Sequence, residues 1–274
     1  MNAAAASVPR PQPPPAAAGA APLPAGAPPV VRLAYEEDAI ARVTMEDREA
    51  RNTFSLRLIE GLVRAFAQIR DDARAKAVIV QGYDNYFCCG GTKDELVGIQ
   101  EGKVQFTDLA FHDLLLQCPV PVIAAMQGHA LGGGLVLGCY ADFVILAEEM
   151  LYSTNFMKYG FTPGFGATCI IPRRFGDFLG AELLHTARSY HGGELRERGA
   201  PVRVVKKAEV LPAALQLARD LADKPRVSLV ELKRRLTEPI RAELPAAVAQ
   251  EVAMHKITFA QPEVRRRIET LFGT

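Results

Sequence analysis

Short apolar runs alternate with stretches of helical spacing along the first half of this chain. Residues 30–36 (VVRLAYE) and 39–45 (AIARVTM) read as two β-branched strands. Leu56, Leu58, Ile59, Leu62, Val63 and Phe66 then recur at the spacing of one helix face. The run 76–83 (KAVIVQGY) is almost wholly apolar, as expected of a strand covered on both faces. A second cycle follows: a helix over 106–117, a strand over 121–128, a glycine-rich turn, a helix over 135–142 and a strand over 143–147. Alternation of this kind predicts an α/β core with much parallel pairing. The last third changes texture, with helical patterns around 175–187, 208–222, 227–236 and 243–261, and with Pro225 and Pro239 placed where helices should end or begin.

Residues 1–29 combine Ala, Pro and Gly without periodicity, and prolines interrupt every apolar stretch before it could form a signal-peptide core. They are expected to be a disordered tail, with the folded domain spanning 30–274. No apolar run approaches the length of a bilayer span. The 274 residues, 49% of them hydrophobic, can bury one substantial core or two small ones. A formal charge of +1 gives no sign of the broad basic surface that nucleic-acid binding needs. Five cysteines without Cys-x-x-Cys spacing suggest neither a disulfide framework nor a zinc site, so a reduced, cytoplasmic protein without metal or cofactor is expected.

Two glycine turns each follow an apolar strand: YFCCGGTKDEL (86–96) and GHALGGGLVLG (128–138). Glycine lets a ligand approach the main chain closely, and in the second turn the glycines open a helix, whose first N–H groups lack partners. Two such donors aimed at one point would hold the charge that develops on a carbonyl oxygen as an enolate forms. Spacing alone favours tight turns that pack closely and bind nothing. The G-x-x-x-x-G-K-[ST] phosphate loop is missing, and Gly132-Gly133-Gly134 does not fit a G-x-G-x-x-G fingerprint.

The series YFCCGGTK (86–93), PVIAAMQGHALGGG (121–134), ADFVILA (141–147) and FTPGFGAT (161–168) resembles the enoyl-CoA hydratase/isomerase, or crotonase, superfamily from about Val31 to the C-terminus. The resemblance implies an α/β crotonase fold of repeated ββα units (30–205) closed by a helical C-terminal region (206–274), usually assembled as trimers or paired trimers. It places the two oxyanion donors on Gly91 and Gly133. The two glutamates with which hydratases of the family activate water appear here as Val136 and Phe156, neither of which can transfer a proton.

The stretches GYDNYF (82–87), NFMKYGFTPG (155–164) and MHKITF (254–259) are similar to the decarboxylating crotonases of polyketide β-branching. That likeness implies conversion of 3-methylglutaconyl-acyl carrier protein to 3-methylcrotonyl-acyl carrier protein through a dienolate, with the substrate carried on phosphopantetheine and His255 as the active-site histidine. Without it, His255 would read as a surface or hydrogen-bonded core histidine. The subgroup's usual lysine, near Phe106 to Asp108, is replaced by Gln105, which leaves Lys103 as first candidate and Lys93 as second. Both also fit solvated charges. Cys88 and Cys89 are expected to pack, His129 to support the second turn, Asp142 and Asn155 to bond neighbouring loops, and Tyr140 to pack beneath them. Lys233, Arg234, Arg235 and Arg265, Arg266, Arg267 read as solvated helix faces that could also meet an acidic carrier protein. Two competing readings are a dehydratase or isomerase of the same fold, and a catalytically silent protein that shelters a carrier-bound chain.

Overall fold

The computed structural model describes residues 28–104 and 111–272. The expected tail, apart from its last two residues, lies outside the described residues, as do Gln105 and Phe106 to Asp108.

Strands β1 (Val31–Glu36) and β2 (Ile40–Met45) form an antiparallel hairpin, and α1 (Leu56–Asp71) then returns the chain to a parallel arrangement. From β2 onward the main sheet is parallel: β3 (Ala77–Gln81), β5 (Val122–Met126), β7 (Phe143–Ala147) and β10 (Arg203–Val205) follow in the order β1-β2-β3-β5-β7-β10. Side chains alternate across a strand, and both faces are buried here. Val78 and Val80, Val122 and Ala124, and Val144 and Leu146 belong to the large core. Ala77 and Ile79, Ile123 and Ala125, and Ile145 and Ala147 face the opposite way into a smaller core with Val210, Ala214 and Ala218 of α8 (Lys207–Ala222).

A second sheet of short strands, β4 (Tyr86–Cys88), β6 (His129–Leu131), β8 (Leu151–Ser153) and β9 (Tyr190–His191), runs β4-β6-β8-β9. Each of β4, β6 and β8 follows a strand of the main sheet, so the chain steps repeatedly from one sheet to the other and on to a helix: α2 (Lys93–Gln100), α4 (Gly133–Cys139), and α5 (Ala167–Phe175) with α6 (Asp177–Thr186). This is the expected ββα repetition. The short helix α7 (Gly192–Glu197) leads into β10. Of the helix expected over 106–117, the described part carries only α3 (Leu114–Gln117).

The C-terminal region is helical, but its divisions differ from expectation. Instead of two helices separated at Pro239, one helix, α9, runs from Arg226 to Thr258 through both Pro239 and Pro245, and α10 (Pro262–Leu271) follows. A proline inside a helix removes one hydrogen bond and costs about 3 kcal/mol. Burial around the prolines offsets that cost: Ile240 and Leu244 are buried, and α9 packs on α5.

Lys233, expected on a solvated face, is likewise buried. Its ammonium lies 2.8 Å from the Asp142 carboxylate and 3.1 Å from the carbonyls of Leu115 and Val120, with 2% of the side chain exposed. Asp142 also accepts the Val122 N–H at 2.8 Å, so one buried pair fastens α9 to the start of β5. Arg234 and Arg235 fit expectation, being exposed and paired with Glu231 and Glu238.

Candidate functional site

The two glycine turns meet. A Cβ placed on Gly90, where φ is +77°, would lie 3.0 Å from the Gly133 nitrogen and 2.7 Å from the Leu131 carbonyl oxygen. Only a residue without a side chain lets the backbones approach so closely. Gly134 is packed as tightly, since its Cβ would fall 2.1 Å from the Cys88 carbonyl oxygen.

Hydrogen bonds fix both turns from beneath. The buried Asn52 carboxamide donates to the carbonyls of Met45 at 3.0 Å and Phe87 at 2.9 Å, and the Phe54 N–H donates to Gly90 at 2.7 Å. In the second turn the Gly132 N–H donates to Ser153 at 2.8 Å. The Gly91 N–H has no main-chain acceptor among the described residues, and Gly133 opens α4, where N–H groups lack an intrahelical partner.

Gly91 and Gly133 line one cavity of about 50 Å³ together with His255. Its walls are largely aromatic: Phe54 stacks on Phe165 at 5.1 Å, and Phe161 stacks on Phe259 at 4.4 Å. A larger cavity of about 310 Å³ shares Ile99, His255 and Phe259 with it. Phe156 borders the smaller cavity, whereas Val136 is fully buried within α4. The position that the hydratase pattern gives to a carboxylate therefore presents a ring.

His255 Nε2 lies 2.8 Å from the Thr162 carbonyl, which fixes the ring's orientation. Burial pushes its pKa below the ordinary imidazole value, and the carbonyls of Thr162 and Pro163 oppose that shift. An anion entering the cavity would also favour the imidazolium.

Lys103 is placed differently. Its neighbours Gly102 and Val104 line the larger cavity, but its ammonium pairs with Glu101 at 2.7 Å and 73% of its side chain is exposed. Arg265 of α10 grips the same Glu101 at 2.8 Å. Lys93, the first residue of α2, is exposed and is not among the lining residues.

Two carboxyl groups escaped the sequence reading. Glu95 lines the smaller cavity, with one oxygen 3.3 Å from where a Gly91 Cβ would stand. Desolvation raises its pKa to about 7. Its signal was the Thr92-x-x-Glu95 spacing of a capping box: the Thr92 hydroxyl accepts the Glu95 N–H at 3.1 Å, and the Glu95 carboxyl accepts the Thr92 N–H at 3.4 Å. The second, Glu251, is fully buried on α9 and accepts the N–H groups of Gly166 at 2.7 Å and Thr168 at 2.8 Å. It holds the loop that carries Phe165, a bulky residue at φ +68°.

His129, Tyr140, Asn155 and the two cysteines surround the turns. His129 Nδ1 accepts the Leu151 N–H at 3.0 Å, and the Tyr140 hydroxyl donates to the Phe165 carbonyl at 2.8 Å. Asn155 packs against Gly132, its oxygen 2.6 Å from where a Cβ there would lie. The Cys88 thiol is buried and donates to the Asn52 carbonyl at 3.0 Å; burial pushes Cys88 well above the ordinary thiol range and Cys89 up to about 11, far from a nucleophile's condition.

Comparison with known proteins agrees with this geometry. The family model for enoyl-CoA hydratase/isomerase matches residues 35–272. The chain is 51% identical over 244 residues to the bacillaene synthase decarboxylase PksI of Bacillus subtilis (strain 168), covering 89% of this chain and 98% of that one. Among solved structures, one from work on a dehydratase/decarboxylase enzyme couple involved in polyketide β-branching superposes with a TM-score of 0.88 at 51% identity, covering 89% of this chain and 100% of the other. The ECH2 decarboxylase domain of CurF from Lyngbya majuscula superposes with a TM-score of 0.85 at 43% identity, covering 88% of this chain and 99% of the domain. The α/β architecture, the two glycine turns and the match over 35–272 make this chain a member of the enoyl-CoA hydratase/isomerase family, with the crotonase fold.

Proposed function

We propose that this protein decarboxylates 3-methylglutaconyl-acyl carrier protein, or a close analogue, to the 3-methylcrotonyl thioester during polyketide β-branch formation. The observation that carries the reading is the convergence of Gly91, Gly133 and His255 on one cavity in which Phe156 replaces a hydratase carboxylate. The kinship with decarboxylases at 51% and 43% identity supports it.

The thioester oxygen accepts the N–H groups of Gly91 and Gly133. The bond between the carboxylate and the terminal carbon breaks, carbon dioxide leaves, and the electron pair passes through the double bond to that oxygen as a dienolate. Fixed donors in a site walled by aromatic rings stabilise this charge more than water would. His255, protonated when the substrate carboxylate is present, gives its proton to the terminal carbon and regains one from solvent. Lys103, on release from Glu101, reaches over the larger cavity toward the departing carboxylate. The carrier's phosphopantetheine delivers the acyl group, and the subunits assemble as trimers or paired trimers in the cytoplasm.

Intact-protein mass spectrometry of 3-methylglutaconyl-carrier protein tests the reading: exposure to the protein should remove the mass of carbon dioxide. Unchanged substrate with folded protein would overturn it. Turnover of a free CoA ester without loss of carbon dioxide would point instead to an isomerase or dehydratase.

A further inference from the structure

Among the described residues, Glu95 and His255 are the titratable ones that line the cavity at Gly91 and Gly133, and the remaining lining is apolar side chain and glycine backbone. The carboxyl of Glu95 sits beside the first oxyanion glycine, on the first turn of α2. In the proposed reaction, on which this inference rests, the acyl chain brings its own carboxylate into that space. Inside that cavity one imidazolium balances one carboxylate, Lys103 approaching only over the larger cavity beside it, so a second anion among the aromatic rings is left without a counter-ion of its own.

We propose that Glu95 is a charge gate that selects the acidic acyl chain: the cavity admits a carboxylate-bearing thioester only while Glu95 is protonated, and its neutral carboxyl then faces the incoming carboxylate as a hydrogen-bond donor. Ionised Glu95 repels that chain but leaves a neutral chain, such as the product, unaffected. The same gate therefore separates substrate from product by charge.

The surroundings allow a neutral carboxyl. Desolvation is the main influence on Glu95 and raises its pKa to about 7, while the Thr92 N–H works weakly against it. His255 of α9 shares the cavity with it; Lys93 and Asp94 on its own helix are exposed; Glu101 and Arg265 of α10 engage each other beyond the far end of α2. Among the described residues, Phe54, Phe156, Phe161 and Phe165 from the other facing segments bring no charge, and His112 stands against the Phe165 ring at 5.8 Å without being among the lining residues.

The test uses two pantetheine thioesters of equal chain length that do not turn over: glutaryl-pantetheine, which ends in a carboxylate, and valeryl-pantetheine, which does not. Calorimetric dissociation constants are measured from pH 6 to pH 8. If only the form with Glu95 protonated binds, Glu95 contributes about a tenfold fall in affinity for the glutaryl probe across that range, because the competent fraction falls by that factor. The valeryl probe should bind equally at both ends. Glu95→Gln keeps an acceptor for the Thr92 N–H and cannot ionise, so its affinity for the glutaryl probe should fall about tenfold less than that of wild type over the same range. Burial holds His255 below its ordinary value, so it takes up a proton as the carboxylate binds; that part of the pH dependence is common to wild type and Glu95→Gln, and the difference between the two profiles reads Glu95.

A wild-type ratio of the two affinities that does not change between pH 6 and pH 8 overturns the proposal without any variant. So does a Glu95→Gln profile that matches wild type, or loss of valeryl binding in that variant. These probes require no decarboxylation, so a pH-dependent preference that shrinks in Glu95→Gln would stand even if the carbon dioxide assay failed.

Discussion

Glu251 and His255 stand one helical turn apart on α9 and hold the same loop: Glu251 accepts the N–H groups of Gly166 and Thr168, and His255 Nε2 meets the Thr162 carbonyl. Residues at i and i+4 share a helix face, so one stripe of a C-terminal helix both shapes the wall at Phe165 and supplies the imidazole. The loop's positive φ values at Phe165 and Gly166 are held by these bonds rather than by local preference.

Replacing Glu251 by Gln puts an amide NH2 where an N–H donor now finds an oxygen. The expected destabilisation is about 1–3 kcal/mol, the cost of a buried donor left unmet. Urea unfolding measures it, and decarboxylation should fall with it because the Phe165 wall loosens. A variant with wild-type midpoint and rate would show that the loop keeps its shape without α9.

Gly133→Ala and Gly134→Ala should fail in different ways. The first directs a methyl group to 2.6 Å from the Phe54 ring, which can move at the expense of the cavity, so turnover should drop about 10²–10³-fold while the fold survives. The second meets the Cys88 main-chain carbonyl at 2.1 Å, which cannot move without separating the two turns. Soluble expression and thermal midpoint should suffer in Gly134→Ala, and turnover alone in Gly133→Ala.

Lys233→Met leaves the Asp142 carboxylate in a buried position without its cation, and a loss of about 3–5 kcal/mol is expected. Adding Asp142→Asn should recover part of that loss. A double-mutant cycle by chemical denaturation checks both statements, and strict additivity would contradict them.

Lys103→Ala separates chemistry from stability. The pair with Glu101 is exposed, so unfolding free energy should change by no more than about 1 kcal/mol. If the ammonium reaches the departing carboxylate, decarboxylation falls about 10²-fold or more. Wild-type turnover would leave His255 as the cation that meets the departing carboxylate in the proposed mechanism.

The raised pKa of Glu95 also links stability to pH. A carboxyl whose folded pKa lies near 7, above an unfolded value near 4.5, contributes stability that is fully present below 4.5 and is lost as pH rises through 7. Thermal midpoints should decline across that window in wild type and decline less in Glu95→Gln.

Much of the core was legible because its signal is local. Runs such as AVIVQ and FVILA have the length and apolar content of strands covered on both faces, and they became β3 and β7. The glycine turns were legible for the same reason: the sequence concentrates residues without Cβ where two backbones must touch, and the contact at Gly90 and Gly134 is that touch. Local rules misjudged Pro239, because a proline's cost is counted within its own helix whereas the burial of Ile240 and Leu244 arises from a helix far earlier in the chain. They also misjudged Lys233, whose partners Asp142, Leu115 and Val120 lie about a hundred residues away.

The sequence by itself determined the α/β alternation, the family likeness and the two glycines that face the cavity, since each is written in residues adjacent along the chain. Only the tertiary structure decided which charges are buried and where they point. Glu95 lies beside Gly91 through one turn of α2, Lys103 is held outward by Glu101 and Arg265, and His255 comes to the glycines from the far end of α9. Burial and charge pairing depend on which segments meet in space, and pattern along the chain does not encode that directly.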